Sequence, residues 1–251
     1  MKGTIIIIIA MLVAALIASA QSPTATSTPV EQAAQVPERR PVVAALAAAG
    51  IVGPILFTVV FVIHGLLRPG YSPVADPISA LATGQNGWVQ NLNFIVLGSL
   101  MLAYAVGLHL GMRPGRAGIL GPALLALAGV GAMLSGVVPL RAVAGGGTYE
   151  PAGHTVAVLM AFLGAGIGLI ALSRRMTSDP SWRSLATYTL VTGIAIVVLF
   201  LAVGGLASTP EAPLYRWFGL TQRVLLAVWY PCLIILAVRL LRVTRATEAL
   251  R

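Results

Sequence analysis

Six stretches of the chain are apolar almost without interruption: residues 42–67, 89–111, 118–140, 153–173, 185–207 and 220–241. None of them holds an Asp or a Glu. A helix needs about 20 apolar residues to cross the hydrocarbon core of a bilayer, and a 23-residue helix reaches about 35 Å at ~1.5 Å per residue. The polar residues gather between the runs, and the connections are short. The pattern predicts an all-α integral membrane fold, a six-helix transmembrane bundle with short loops, in which consecutive helices are antiparallel neighbours. Small residues support close packing, as at Gly164-x-x-x-Gly168 in the fourth run and Gly129 with Gly131 in the third.

Two segments precede the bundle. Residues 1–20 combine a basic start at Lys2, an apolar centre and an Ala18-Ser19-Ala20 ending, the pattern of a signal peptide or signal anchor. Residues 21–41 are rich in Ser, Thr, Pro and Gln and are expected to form a flexible linker. Residues 42–241 form the transmembrane domain, and residues 242–251 a basic cytoplasmic tail.

Orientation follows from the placement of Arg. Eleven arginines flank one side of the six runs: Arg39, Arg40, Arg113, Arg116, Arg174, Arg175, Arg183, Arg239, Arg242, Arg245 and Arg251. Arg68, Arg141, Arg216 and Arg223 flank the other. Both ends of the six-helix unit are therefore expected in the cytoplasm of a multi-pass cell-membrane protein. Cleavage after Ala20 would place the new amino terminus outside and contradict this. Residues 1–20 are then cleaved with the charge rule failing, retained as a seventh crossing, or a start-site artefact.

Composition agrees with the membrane reading. Apolar residues make up 58% of the chain and charged residues 9%, with a mean hydropathy of +0.93. So little charge could not cover a soluble surface. The formal charge of +9 comes almost wholly from Arg at the ends of apolar runs. That placement suits membrane topology and anionic headgroups rather than nucleic acid. The single Cys232 excludes an intramolecular disulfide and is expected to pack as a small apolar residue.

The polar residues that could do chemistry lie in the loops on the outer side, over 68–88, 141–152 and 208–219. In "RPGYSPVADPISAL" the run Asp76-Pro77-Ile78-Ser79 reads as a helix start with Asp76 as its N-cap. Thr209-Pro210-Glu211 repeats the device and predicts a second short surface helix. The candidate polar cluster is Tyr71, Asp76, Ser79, Glu150, His154, Gln222 and Arg223. Arg223 has three readings: a headgroup contact, an ion pair to Asp76 or Glu150, or a clamp on a ligand phosphate or carboxylate. His64 and His154 are weak metal candidates, without an HxxxH or HExxH spacing, and no cofactor is expected. Trp88, Tyr149, Tyr215 and Trp217 at one edge and Trp182 at the other suit an interfacial aromatic belt. Trp229-Tyr230-Pro231 is expected to kink the sixth helix.

The order of Gly70-Tyr71-Ser72-Pro73 and Ile78-Ser79 after the first helix, Gly98 in the second, His154 opening the fourth and Gln222-Arg223 opening the sixth resembles a known family. It is the bacterial integral membrane family called domain of unknown function 998, and the resemblance covers roughly residues 42–241. It implies a six-helix membrane protein without an established activity. The family's pattern places an aromatic and an acid after the third helix; here "GVVPLRAVAGGG" has no acid before Glu150.

The sequence favours a non-enzymatic membrane protein that binds lipid or an apolar ligand through a polar extracytoplasmic cap. One alternative is a membrane-embedded hydrolase or lipid-modifying enzyme using Asp76, His154 and Ser79. Another is a structural subunit that binds a membrane partner or a second copy of itself. Ion-coupled transport is disfavoured, because such coupling uses an ionisable group within a span and the six runs hold no acid.

Overall fold

The computed structural model describes residues 29–112, 118–143, 148–206, 209 and 211–249, so the signal-like segment lies outside the described residues. Six long helices follow in order: α1 (Pro29–Leu67), α2 (Gly87–Gly111), α3 (Leu120–Val137), α4 (Ala152–Thr177), α5 (Arg183–Leu206) and α6 (Phe218–Ala249). Each is long and apolar enough to cross a membrane over at least 18 residues. The protein is thus a multi-pass membrane bundle, as the six apolar runs predict. α1 begins inside the stretch expected to be a linker; its Pro-Val-Glu-Gln-Ala-Ala start is rich in good helix formers.

Each helix packs on the next, and α1 returns to pack on α6, so the six close into a ring. Apolar burial drives association weakly within a bilayer, where lipid tails are as apolar as Leu; close backbone approach has to supply much of the binding. α3 provides it on two sides. A Cβ at Gly131 would meet the main chain of Ala157 and Ala161 on α4, and one at Gly129 would meet that of Gly98 and Leu102 on α2. Gly164 and Gly168 answer from α4, against Leu124, Leu125 and Ala128. Cys232 is buried in the core, as expected.

Lipid-facing stripes lie outside the ring. Val191, Ile194, Val198 and Leu201 on α5, and Val52, Ile55, Val59 and Ile63 on α1, are exposed. Trp88, Tyr149, Tyr215 and Trp217 are exposed at the ends of helices, where a belt would place them. Trp182 differs: it is 0% exposed and belongs to the core. It follows a tight turn in which Asp179 accepts from Ser181 N–H through Oδ1 and from Trp182 N–H through its carbonyl, which turns the ring inward.

The end of the ring that carries loops 68–86 and 138–151 is closed by a plug. Residues Ile78–Ala82 form a short 3-10 helix in which all five residues are buried, packed on α1 and α2. Nearby, Arg141–Ala142 (β1) and Thr148–Tyr149 (β2) pair antiparallel in a small exposed ribbon. The second 3-10 turn, Tyr215–Trp217, comes later than the Thr209-Pro210-Glu211 sequence suggests and is capped by Leu214.

Candidate functional site

The loop before the plug is held by one arginine of α6. Arg223 donates through Nη2 to Tyr71 Oη at 2.5 Å and through Nη1 to the carbonyls of Gly219 at 2.8 Å and Asp76 at 3.2 Å. Its guanidinium carbon also sits 5.7 Å from the ring centres of Tyr71 and Phe61. Tyr71 Oη in turn donates to the Asp76 and Pro77 carbonyls, both at 3.3 Å. Burial of the phenol raises the Tyr71 pKa above the usual 10.0 although Arg223 opposes the shift, so the hydroxyl stays protonated and able to donate at neutral pH.

Asp76 is not a helix cap. The residue capping the plug is Pro77, without a side-chain bond. The Asp76 carboxylate instead accepts from Ser72 N–H at 2.7 Å and tightens its own loop. Arg223 therefore meets the main-chain oxygen of Asp76 rather than its charge. Pro77 explains the change: it commits Asp76 to an extended backbone, and the turn before it offers Ser72 N–H at short range. Glu150 likewise stands apart from Arg223, accepting from Thr155 Oγ1 at 2.9 Å on the exposed edge of α4.

A second arginine completes the plug. Arg68 Nη1 donates to the carbonyls of Ala80 at 2.6 Å and Thr83 at 3.0 Å, and Nη2 to Thr83 Oγ1 at 3.1 Å. The Thr83 carbonyl follows the C-terminal end of the short helix, where carbonyls lack intrahelical donors; the Ala80 carbonyl also accepts from Thr83 N–H and Oγ1. The sequence marks Arg68 only as a topology charge.

Beneath the plug lies a narrow cavity of about 50 Å³. Ser79 of the plug, Ser135 of α3, His154 of α4, and Gln222, Trp229 and Tyr230 of α6 bring polar side chains to its lining; Phe57, Phe94, Phe162 and Leu226 are among its apolar walls. His154 is 2% exposed, and its Nδ1 lies 2.8 Å from the Val138 carbonyl, which can only accept, so Nδ1 carries the proton. In the neutral ring Nε2 is then an acceptor. Gln222 Oε1 accepts from Ile78 N–H at 2.7 Å, which leaves its amide nitrogen to donate. Trp229 Nε1 is buried without a partner among the described residues. The structure thus splits the candidate cluster: Ser79, His154 and Gln222 meet at the cavity, Tyr71, Asp76 and Arg223 form the loop clamp, and Glu150 stands outside both.

A larger groove of about 600 Å³ opens sideways between α4, α5 and α6. Leu159, Phe200, Leu201 and Leu225 line it, Glu150 stands at its edge, and Val158, Phe162 and Gln222 belong to the walls of both groove and cavity. Ser135 escapes sequence reading because it sits inside an apolar run, and Trp229 is read there only as part of the Trp229-Tyr230-Pro231 kink. A Trp mid-span in α6, away from the belt, is the one available signal.

His64 lies apart, in a groove between α1 and α2 beside Arg68 and Asn86. Among the described residues no group of three or more His, Cys, Asp or Glu is placed to hold a metal ion.

No curated protein and no solved structure matches this chain. A family model does, over residues 51–239, which includes the plug, the clamp and every residue of the cavity. The chain belongs to the family described as Protein of unknown function (DUF998).

Proposed function

We propose that the protein binds a lipid or lipid-like apolar ligand, taken sideways from the membrane between α4, α5 and α6 and anchored by its polar end beneath the plug. One observation carries this reading: the apolar groove and the polar cavity share Val158, Phe162 and Gln222 as common walls. A cleft with a mostly apolar lining and a few convergent polar groups is the usual form of a small-molecule site. The excess of Arg at the opposite end supports an extracytoplasmic plug and a groove open to the outer leaflet.

Ser79 and His154 line one cavity, yet no hydrogen bond joins them. A nucleophile and its base need that bond, so binding is the better-supported reading than acyl transfer. The test is native mass spectrometry of protein released from mild detergent, wild type beside Val158→Trp, which fills the shared wall. Wild type is expected to keep a specific lipid-sized adduct that the folded variant loses. Identical adducts on both proteins would contradict the reading.

A further inference from the structure

We infer that the cavity selects the ligand's head: an uncharged oxygen-bearing group, a hydroxyl or a carbonyl, and not a phosphate. The inference rests on the binding function proposed above and specifies the class of ligand.

Size is the first argument. The cavity's roughly 50 Å³ takes on the order of three or four water-sized groups, given the ~10–15 Å³ each requires. A head of that size fits while its chain runs past Val158 and Phe162 into the larger groove.

Hydrogen-bonding capacity is the second. Trp229 is 2% exposed and its indole N–H has no partner among the described residues, a state that costs free energy unless something accepts from it. The amide nitrogen of Gln222 adds a second donor, because Ile78 N–H occupies the amide oxygen. His154 Nε2 offers an acceptor in the neutral ring, since Nδ1 donates to Val138. The Ser135 hydroxyl donates to the Gly131 carbonyl at 3.0 Å, which leaves its oxygen to accept. A hydroxyl needs one acceptor and welcomes two donors; this set provides both. A carbonyl uses the donors alone.

Charge is the third. Among the described residues, no Lys, Arg, Asp or Glu lines the cavity. Arg223 follows Gln222 in the chain, but its guanidinium is committed to Tyr71, Gly219 and Asp76. An anionic head would enter without a counter-charge, and buried charges without partners are strongly disfavoured.

The experiment measures binding of radiolabelled 1-hexadecanol to the full chain in detergent, with hexadecane and hexadecyl phosphate as competitors at neutral pH. Saturable 1-hexadecanol binding is expected, with hexadecyl phosphate at least about 100-fold weaker. Trp229→Phe, which keeps the aromatic packing and removes the donor, is expected to weaken 1-hexadecanol about 3- to 30-fold and hexadecane not at all. Hexadecyl phosphate binding as tightly as the alcohol in wild type would overturn the inference and leave the groove reading standing. Alcohol affinity unchanged in a folded Trp229→Phe would do the same. No saturable binding of any of the three compounds would overturn both.

Discussion

Arg223 of α6 and Tyr71 of the first loop are 152 positions apart in the chain and joined by a 2.5 Å hydrogen bond. The pair is a clamp. One guanidinium ties the start of α6 to the loop that carries the plug, and so fixes the roof of the cavity.

Tyr71→Phe removes the acceptor for Arg223 and the donor to the Asp76 and Pro77 carbonyls. A lost bond to a charged partner in a half-buried place costs about 1–3 kcal/mol, so the thermal midpoint in detergent should drop by several degrees. Arg223→Met should cost a similar amount. The double variant should fall short of the sum, because both substitutions break one contact.

The Tyr71 phenol also titrates in a defined direction. Its folded pKa is raised above the usual 10.0, chiefly by burial. A raised pKa favours the protonated form in the folded state. The associated stability is present below pH 10 and lost as pH climbs through the folded value. Ultraviolet titration of wild type against Tyr71→Phe should assign to Tyr71 a tyrosinate transition above 10.0.

Arg68→Ala takes the guanidinium donor from the Thr83 carbonyl and one of three donors from the Ala80 carbonyl, which keeps Thr83 N–H and Oγ1. The expected effect is local: faster amide hydrogen exchange over Ile78–Thr83, a stability loss of about 1–3 kcal/mol, and little change in α3 or α5. Exchange accelerated evenly along the whole chain would show that Arg68 supports the bundle rather than the plug.

Gly219→Ala tests the docking of α6 on the same loop. A Cβ there would meet the carbonyls of Pro73 and Asp76, while the Gly219 and Leu220 amides donate to Ala75 and Val74. Overpacking against main chain costs about 1–3 kcal/mol. A purified variant that melts earlier and binds ligand more weakly is expected.

The six spans are legible in the sequence because length and apolarity alone define them. Their inward faces are not. Lipid accepts Val191 on α5 as readily as the core accepts Leu225 on α6, so both surfaces of a span read as apolar and no stripe separates them. That is why Ser135 goes unnoticed, why Trp229 is read only as part of a kink, and why Trp182 is mistaken for a belt residue. Gln222 and Arg223 stand out because each interrupts an apolar run, and both prove to hold the plug loop. The role of Asp76 is misread for a local reason: Asp-Pro suits a helix start, but a nearer donor at Ser72 takes the carboxylate.

The most direct measurement is photo-crosslinking with a diazirine-bearing long-chain alcohol in reconstituted membranes, mapped to residues by peptide mass spectrometry. Labels concentrated on the groove residues of α4, α5 and α6, competed by excess 1-hexadecanol and lost in Val158→Trp, are expected. Labels spread evenly over Val52, Ile55, Val59 and Ile63 of α1 and Val191, Ile194 and Val198 of α5, insensitive to competitor and to the variant, would contradict a lateral binding site.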